Sequence, residues 1–305
     1  MGILANLLQS NRVMLHPVMR LYYKYKFGTK GIVYMLHRVG DLDKNGIPIN
    51  ENMKVSPQCL EKIIVSYRKQ GFDFLSVDEL YQVLIKEKPQ HKPFVVFTLD
   101  DGYVDNYTKA YPIFKKHQVP FCVYVTTGFP DSKVFLWWYA LEDYIQQAKR
   151  RKEDFEALRK QILTFSQEGF VNQFRQLTTD FDVDVQKYVQ AASMSWAQIE
   201  EMSEDSLCTI GGHTVSHPAF TALTEQEIRK EIEEGVRKLE SHLGKRISHF
   251  AYPYGGLSEV NDREYKITET YGFKTIMTTL AGGVTVSTNR NRIPRYMLFD
   301  DNYLR

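Results

Sequence analysis

Seven short runs rich in β-branched and aromatic residues recur along the chain: GIVYMLH (31–37), FDFLSV (72–77), FVVFTL (94–99), PFCVYVTT (120–127), LCTIGGH (207–213), ISHFAYP (247–253) and FKTIMTT (273–279). Stretches of helical periodicity separate them, and strands alternating with helices demand parallel βα units rather than an antiparallel sandwich. PQCLEKIIVSYRKQ (57–70) carries apolar residues at the helical spacing, and Thr224 followed by Glu227 has the spacing of a capping box that opens another helix. From about residue 137 to 202 the rhythm breaks into a long charged stretch, EDYIQQAKRRKEDFEALRKQILTF, which predicts a helical insertion, mostly exposed, between barrel units. The aromatic run FLWWYALEDY at its start offers two readings, a sugar platform or packing within the insertion, and packing is the more economical.

With 305 residues, 43% hydrophobic and 25% charged, the chain can bury a sizeable core. A formal net charge of +2 leaves no excess of cations to neutralise many phosphates, which argues against a nucleic-acid partner. Cys59, Cys122 and Cys208 are far apart and odd in number, so they form neither a disulfide framework nor a metal knuckle. No run approaches the ~18 apolar residues of a membrane span. The N-terminus lacks the order of a signal peptide, so the expectation is a cytoplasmic protein. Residues 1–30 read as a helical extension with a basic face formed by Arg12, Arg20, Lys24, Lys26 and Lys30, and a peripheral membrane contact through it is the alternative to packing.

In a parallel barrel, reactive side chains collect at the C-terminal ends of the strands. Those ends are His37, Asp100-Asp101, the segment from His213, and Pro253-Tyr254. Asp-Asp-Gly after FVVFTL is first of all turn chemistry, since Asp bonds its own backbone and Gly accepts positive φ. GGHTVSHPAF (211–220) puts His213 and His217 four apart in a loop bounded by glycines and a proline. It differs from the metalloprotease helix because Thr214 stands where the base glutamate would be. Two histidines with a carboxylate and open positions make a hydrolytic metal set; two histidines that only cap a loop are the plainer alternative.

The trio TLDDGY (98–103), HTVSHP (213–218) and AYPYG (251–255), in that order, resembles the signatures of the NodB-homology polysaccharide deacetylases. The resemblance covers roughly residues 31–295 apart from the insertion. It implies an α/β fold, an irregular (β/α) barrel of about seven strands, and a catalytic domain over 31–305. It implies metal-dependent removal of an acetyl group from an N-acetylated carbohydrate, with Asp101, His213 and His217 as metal ligands and Asp100 as general base. Zn2+ is the expected ion, with Co2+, Ni2+ or Fe2+ as alternatives. A departing amine needs a proton. Many members of the family place that acid on a C-terminal histidine, which this chain lacks. A subset carries it on an N-terminal strand, which here is His37.

Many members also hold the base with an arginine two residues before the proline of the third motif, and this chain has Ala251 there. Arg292 or Arg295, in NRIPRY, could supply the charge as a bidentate partner of Asp100, and Arg295 is the preferred choice. Tyr254, Pro253, Gly255 and Tyr103 are the expected substrate-binding residues. An O-acetyl esterase and a non-catalytic carbohydrate-binding relative are the alternatives. Oligomeric state is not legible.

Overall fold

The computed structural model describes residues 31 to 300 except positions 45, 166, 167, 179, 180 and 183. The extension and membrane contact expected of residues 1–30 lie outside the described residues. Ten strands are β1 (Gly31–Leu36), β2 (Arg38–Val39), β3 (Lys54–Val55), β4 (Asp73–Phe74), β5 (Phe94–Asp101), β6 (Phe121–Val125), β7 (Cys208–Gly212), β8 (His249–Ala251), β9 (Thr275–Met277) and β10 (Tyr296–Met297). Eight of them form one parallel sheet in the order β10-β1-β5-β6-β7-β8-β9, with β4 beside the start of β5. β2 and β3 pair separately.

The sheet curls because one stretch of chain bridges its two edges. Ile293 bonds the backbone of Ile276 and Thr278, and a few residues later β10 pairs with Tyr34 and Met35 of β1. The result is the irregular parallel barrel that the alternating pattern predicts. All seven expected runs contribute strands, although FDFLSV yields only Asp73–Phe74. Its continuation is a helix instead, because Ser76 accepts from Glu79 N and the Glu79 carboxylate accepts from Ser76 N, a capping box that starts Val77–Leu84.

Every residue of β5 is buried. Alternate positions divide between two layers, as a pleated strand requires. Val95, Phe97 and Leu99 pack with residues of the helices Pro57–Lys69, Tyr111–His117 and Trp196–Glu204. Phe94 and Val96 join Val33, Cys122, Tyr124 and Met277 in a second cluster that fills the barrel. Gly211 of β7 makes room for it: a Cβ there would lie 2.5 Å from the Tyr124 ring.

The insertion is helical, with Trp137–Gln147, Asp154–Ile162, Phe170–Leu177 and Lys187–Ala192, but it is not mostly exposed. Trp137, Ala140, Leu141, Tyr144 and Ile145 are buried with Ile47, Phe155, Ile162 and Phe174 in a cluster of their own. The charged pattern concealed this because most of the Glu, Lys and Arg occupy the outer faces of these helices, with Arg159 and Glu142 as exceptions. Among the described residues, no helix is long and apolar enough to cross a membrane.

Candidate active site

Asp100 continues the inward positions of β5. Its two carboxylate oxygens accept from the two terminal guanidinium nitrogens of Arg295, each at 2.7 Å. Arg295 also donates to Thr98 Oγ1 at 3.0 Å and, through Nε, to the Thr278 carbonyl at 2.9 Å. The arginine is completely buried. Burial alone would push the Asp100 carboxyl up, but the charge of Arg295, aided by His213, more than offsets it and holds the group below the usual carboxylate range. Of the two candidate arginines, Arg292 instead lies at the surface beside Asp262 and Glu269 and over the Tyr265 ring.

Asp101 should face the opposite way from its neighbour. Its backbone is left-handed, φ 78°, which breaks the alternation and lets both carboxylates reach the barrel mouth. Asp101 Oδ1 lies 3.4 Å from His213 Nε2 and 3.1 Å from His217 Nε2. Burial opposes its ionisation, yet the two imidazoles, His217 foremost, hold it well below the usual range. Four of the eight described non-glycine residues with positive φ belong here: Asp101, Thr214, His217 and Tyr254. Backbone strain gathered in this way must be held by its surroundings and marks a site rather than an ordinary turn.

The surroundings of the H-x-x-x-H loop show how. Thr214 Oγ1 accepts from His217 N, and His213 Nδ1 donates to the Ala251 carbonyl at 2.7 Å, which turns Nε2 inward toward Asp101. The helix Glu225–Leu243 presses on the loop, since a Cβ on Gly235 would lie 3.0 Å from the Thr214 backbone. From one turn earlier, the Glu231 carboxylate accepts from Val215 N, Ser216 N and Ser216 Oγ at 2.9, 2.9 and 2.7 Å. The expected capping box starts this helix: Thr224 Oγ1 accepts from Glu227 N at 3.3 Å.

These groups face a cavity of about 270 Å3 lined by His37, Asp100, Asp101, Tyr103, His213, His217 and Tyr254. His37 is half-buried just past the end of β1, with a buried Nδ1 that has no hydrogen-bond partner. Burial keeps its pKa below the usual imidazole range, although the two aspartates pull it back up. The Tyr254 ring packs edge-on to His217 at 4.6 Å. Pro253 and Gly255 do not line the cavity; they form the turn that presents Tyr254, with Gly255 at φ 57°. His249 is buried at the start of β8 against Thr275 and Asp78, away from this cavity.

Several lining residues were not anticipated: Asn50, in the short helix Pro48–Glu51, and Met53, both between β2 and β3; Trp138, Tyr139, Phe155 and Arg159 from the insertion; and Glu259. The aromatic run FLWWYALEDY was their one sequence signal. Trp137 packs in the core, as the packing reading expects, and it also lines the cavity.

With the geometry described, relatives can be compared. The sequence profile of the family described as polysaccharide deacetylase matches residues 87–276, and this chain belongs to that family. The match spans Asp100, Asp101, His213 and His217 but neither His37 nor Arg295, which the fold brings in from outside it. The Bacillus subtilis (strain 168) protein YxkH, named as a polysaccharide deacetylase homologue, is 20% identical over 241 residues, covering 79% of this chain. The chain spans 64% of that relative's length. Among solved structures, the Streptococcus pyogenes deacetylase PplD in complex with acetate has 20% identity and a TM-score of 0.63, over 88% of this chain and 92% of its own. IcaB from Ammonifex degensii has 22% identity and a TM-score of 0.62, over 91% and 95%. At these identities the structures show a shared fold, the distorted (β/α) barrel.

Proposed function

We propose that this chain is a metal-dependent hydrolase that removes the acetyl group from an N-acetylated sugar. The observation that carries the reading is a convergence of acceptors: Asp101 Oδ1 is buried without a hydrogen-bond donor, and two imidazole Nε2 atoms face it. Three such atoms, all within 4.8 Å of one another, can hold a cation between them. Two ligands each ~2.1 Å from a tetrahedral ion stand about 3.4 Å apart, which fits the spacing here. Asp101, His213 and His217 would hold the ion. Two imidazoles and one carboxylate suit Zn2+, followed by Co2+, Ni2+ or Fe2+. When bound, it supplies an activated water and charge stabilisation for the developing oxyanion.

The chain's own groups do the rest. Asp100 is kept ionised by Arg295 and takes a proton from the water that attacks the acetyl carbonyl. As the carbon–nitrogen bond breaks, His37 gives a proton to the departing amine. Its low pKa makes the imidazolium a strong donor while reducing how often it is protonated. Tyr254 and Tyr103 wall the sugar.

The test is metal content together with acetate release. Purified protein is expected to carry or take up about one divalent ion per chain. It should release acetate from N-acetylated sugars faster than from O-acetylated xylan, and the reverse order would favour an esterase. Neither metal nor acetate would sink the proposal.

Glu231 offers a separate check. It touches no metal ligand, yet three of its hydrogen bonds fix the loop between His213 and His217. Glu231→Ala is expected to weaken Zn2+ affinity ~10–100-fold in a chelator competition. Glu231→Gln keeps an acceptor oxygen for both backbone N–H groups and should recover most of the loss. Equal affinity in all three proteins would show that the loop holds itself.

A further inference from the structure

His37 stands just outside the ladder that carries it to the site. Pairing of β1 with β5 ends at Leu36 opposite Leu99, and β2 begins only at Arg38. The His37 Nδ1 is buried without a hydrogen-bond partner, whereas His213 is anchored through Nδ1 to the Ala251 carbonyl. Without such an anchor, the aim of the His37 ring depends on how its own backbone is held.

Two adjacent residues hold it. Asn106 Nδ2 donates to the His37 carbonyl at 2.8 Å. Beside it, Asp105 accepts from Arg38 Nε at 2.6 Å through Oδ2 and from Val39 N at 3.2 Å through Oδ1. Asn106 Nδ2 also reaches Asp105 Oδ1 at 3.3 Å, so the two side chains brace each other. Residues 37, 38 and 39 are thus gripped in succession at a carbonyl, a guanidinium and an amide, and the guanidinium bond is charge-assisted.

The holding pair follows Asp101 by four and five positions, on the turn that leaves β5. Asn106 opens a π-helical turn, Asn106–Ala110, a rare element that concentrates at functional sites. It is completely buried, and its Oδ1 has no hydrogen-bond donor. Both neighbours of Nδ2 are acceptor oxygens, which fixes the amide in this orientation. An apolar residue of similar shape would escape the cost of the stranded Oδ1, so what favours asparagine here is the donor it offers to His37.

We infer that Asn106, braced by Asp105, is a positioning residue for the proton donor, acting on the reaction through His37 and not through the metal ligands or the base. The inference rests on the deacetylase reading with His37 as acid, and it adds the residues that aim that acid. One turn then serves both halves of the chemistry, since Asp101 begins it and Asn106 grips the segment that bears His37.

The test compares two acetyl substrates on the full chain loaded with Zn2+. The disaccharide of N-acetylglucosamine must have its departing amine protonated, whereas 4-nitrophenyl acetate loses a stable nitrophenolate without a proton. A variant that is partly folded or partly loaded loses both rates together, so the amide-to-ester ratio is blind to such defects. Asn106→Ala is expected to lower that ratio ~10–100-fold, the usual cost of a misplaced reacting group. In a His37→Ala background the same change should cost less than ~2-fold, because no acid is left to aim. Asp105→Asn keeps Oδ1 for Val39 N but sets an amide nitrogen against Arg38, and it should lower the ratio ~3–10-fold. This second variant carries the test if Asn106→Ala does not fold. A ratio that neither variant moves, or a loss as large without His37 as with it, would overturn the inference and leave the deacetylase reading standing. A His37→Ala protein with the parental ratio would overturn the acid assignment and the inference with it, and no acetate from the disaccharide with the unmodified protein would overturn the deacetylase reading as well.

Discussion

Arg295→Met is expected to destabilise the protein by about 3–5 kcal/mol, the cost of breaking a buried ion pair from one side. The pair is wholly enclosed, and both oxygens of Asp100 are committed to the guanidinium. Removing the arginine strands a carboxylate in the barrel core, with Thr98 Oγ1 and the Thr278 carbonyl also deprived of their donor. A urea titration at pH 7 measures the loss. Arg295→Met combined with Asp100→Leu should regain most of the stability, because replacing a whole buried pair by apolar groups is often neutral. The double variant would still be inactive if Asp100 is the base. If the single variant is as stable as the parent, the pair is not the fastening that its geometry indicates.

Asp101→Ala is expected to abolish divalent-ion binding and to reduce kcat by at least ~10^3-fold, since a metal's charge stabilisation is worth several kcal/mol and each 1.36 kcal/mol is a factor of ten. Isothermal titration with Zn2+ and acetate release read the two effects separately. Asp101→Asn provides the structural control. In metal-free protein it should lower stability at pH 7, because the interaction with the two imidazoles that holds the carboxyl well below its usual range is lost with the charge. An Asp101→Ala protein that still bound one Zn2+ per chain at the parental affinity would remove the metal-centre proposal.

These two aspartates also show how far the residues alone can be read. The strand FVVFTL, the double carboxylate after it and the histidine pair were visible because each combines a period, a turn signal and a reactive residue type at one strand end. The partner of Asp100 was not settled in the same way. Arg292 and Arg295 flank Pro294 in one short segment, and the choice between them depends on where Tyr296 and Met297 pair with β1. A two-residue strand has no periodicity to detect. Glu231 was hidden differently, as one acid among several on an amphipathic helix, where a solvated face is the ordinary reading. The ties of Trp137, Trp138 and Tyr139 to Tyr254, Tyr103 and Arg38 escaped because they can be placed only when the positions of three barrel loops are known.

The stretch that bridges the two edges of the sheet has a consequence for the order of assembly. Arg295 lies 195 residues downstream of the carboxylate it neutralises. While the chain is being synthesised, at ~5–20 residues per second, β5 and β6 emerge and can pair long before that cation exists. Until it arrives, the interior of the barrel contains a negative charge with no counter-charge, so the inner packing around Tyr124 cannot be completed even where every neighbouring strand is present. This link, made across 195 residues, is then one that permits the first-formed strands to become dry.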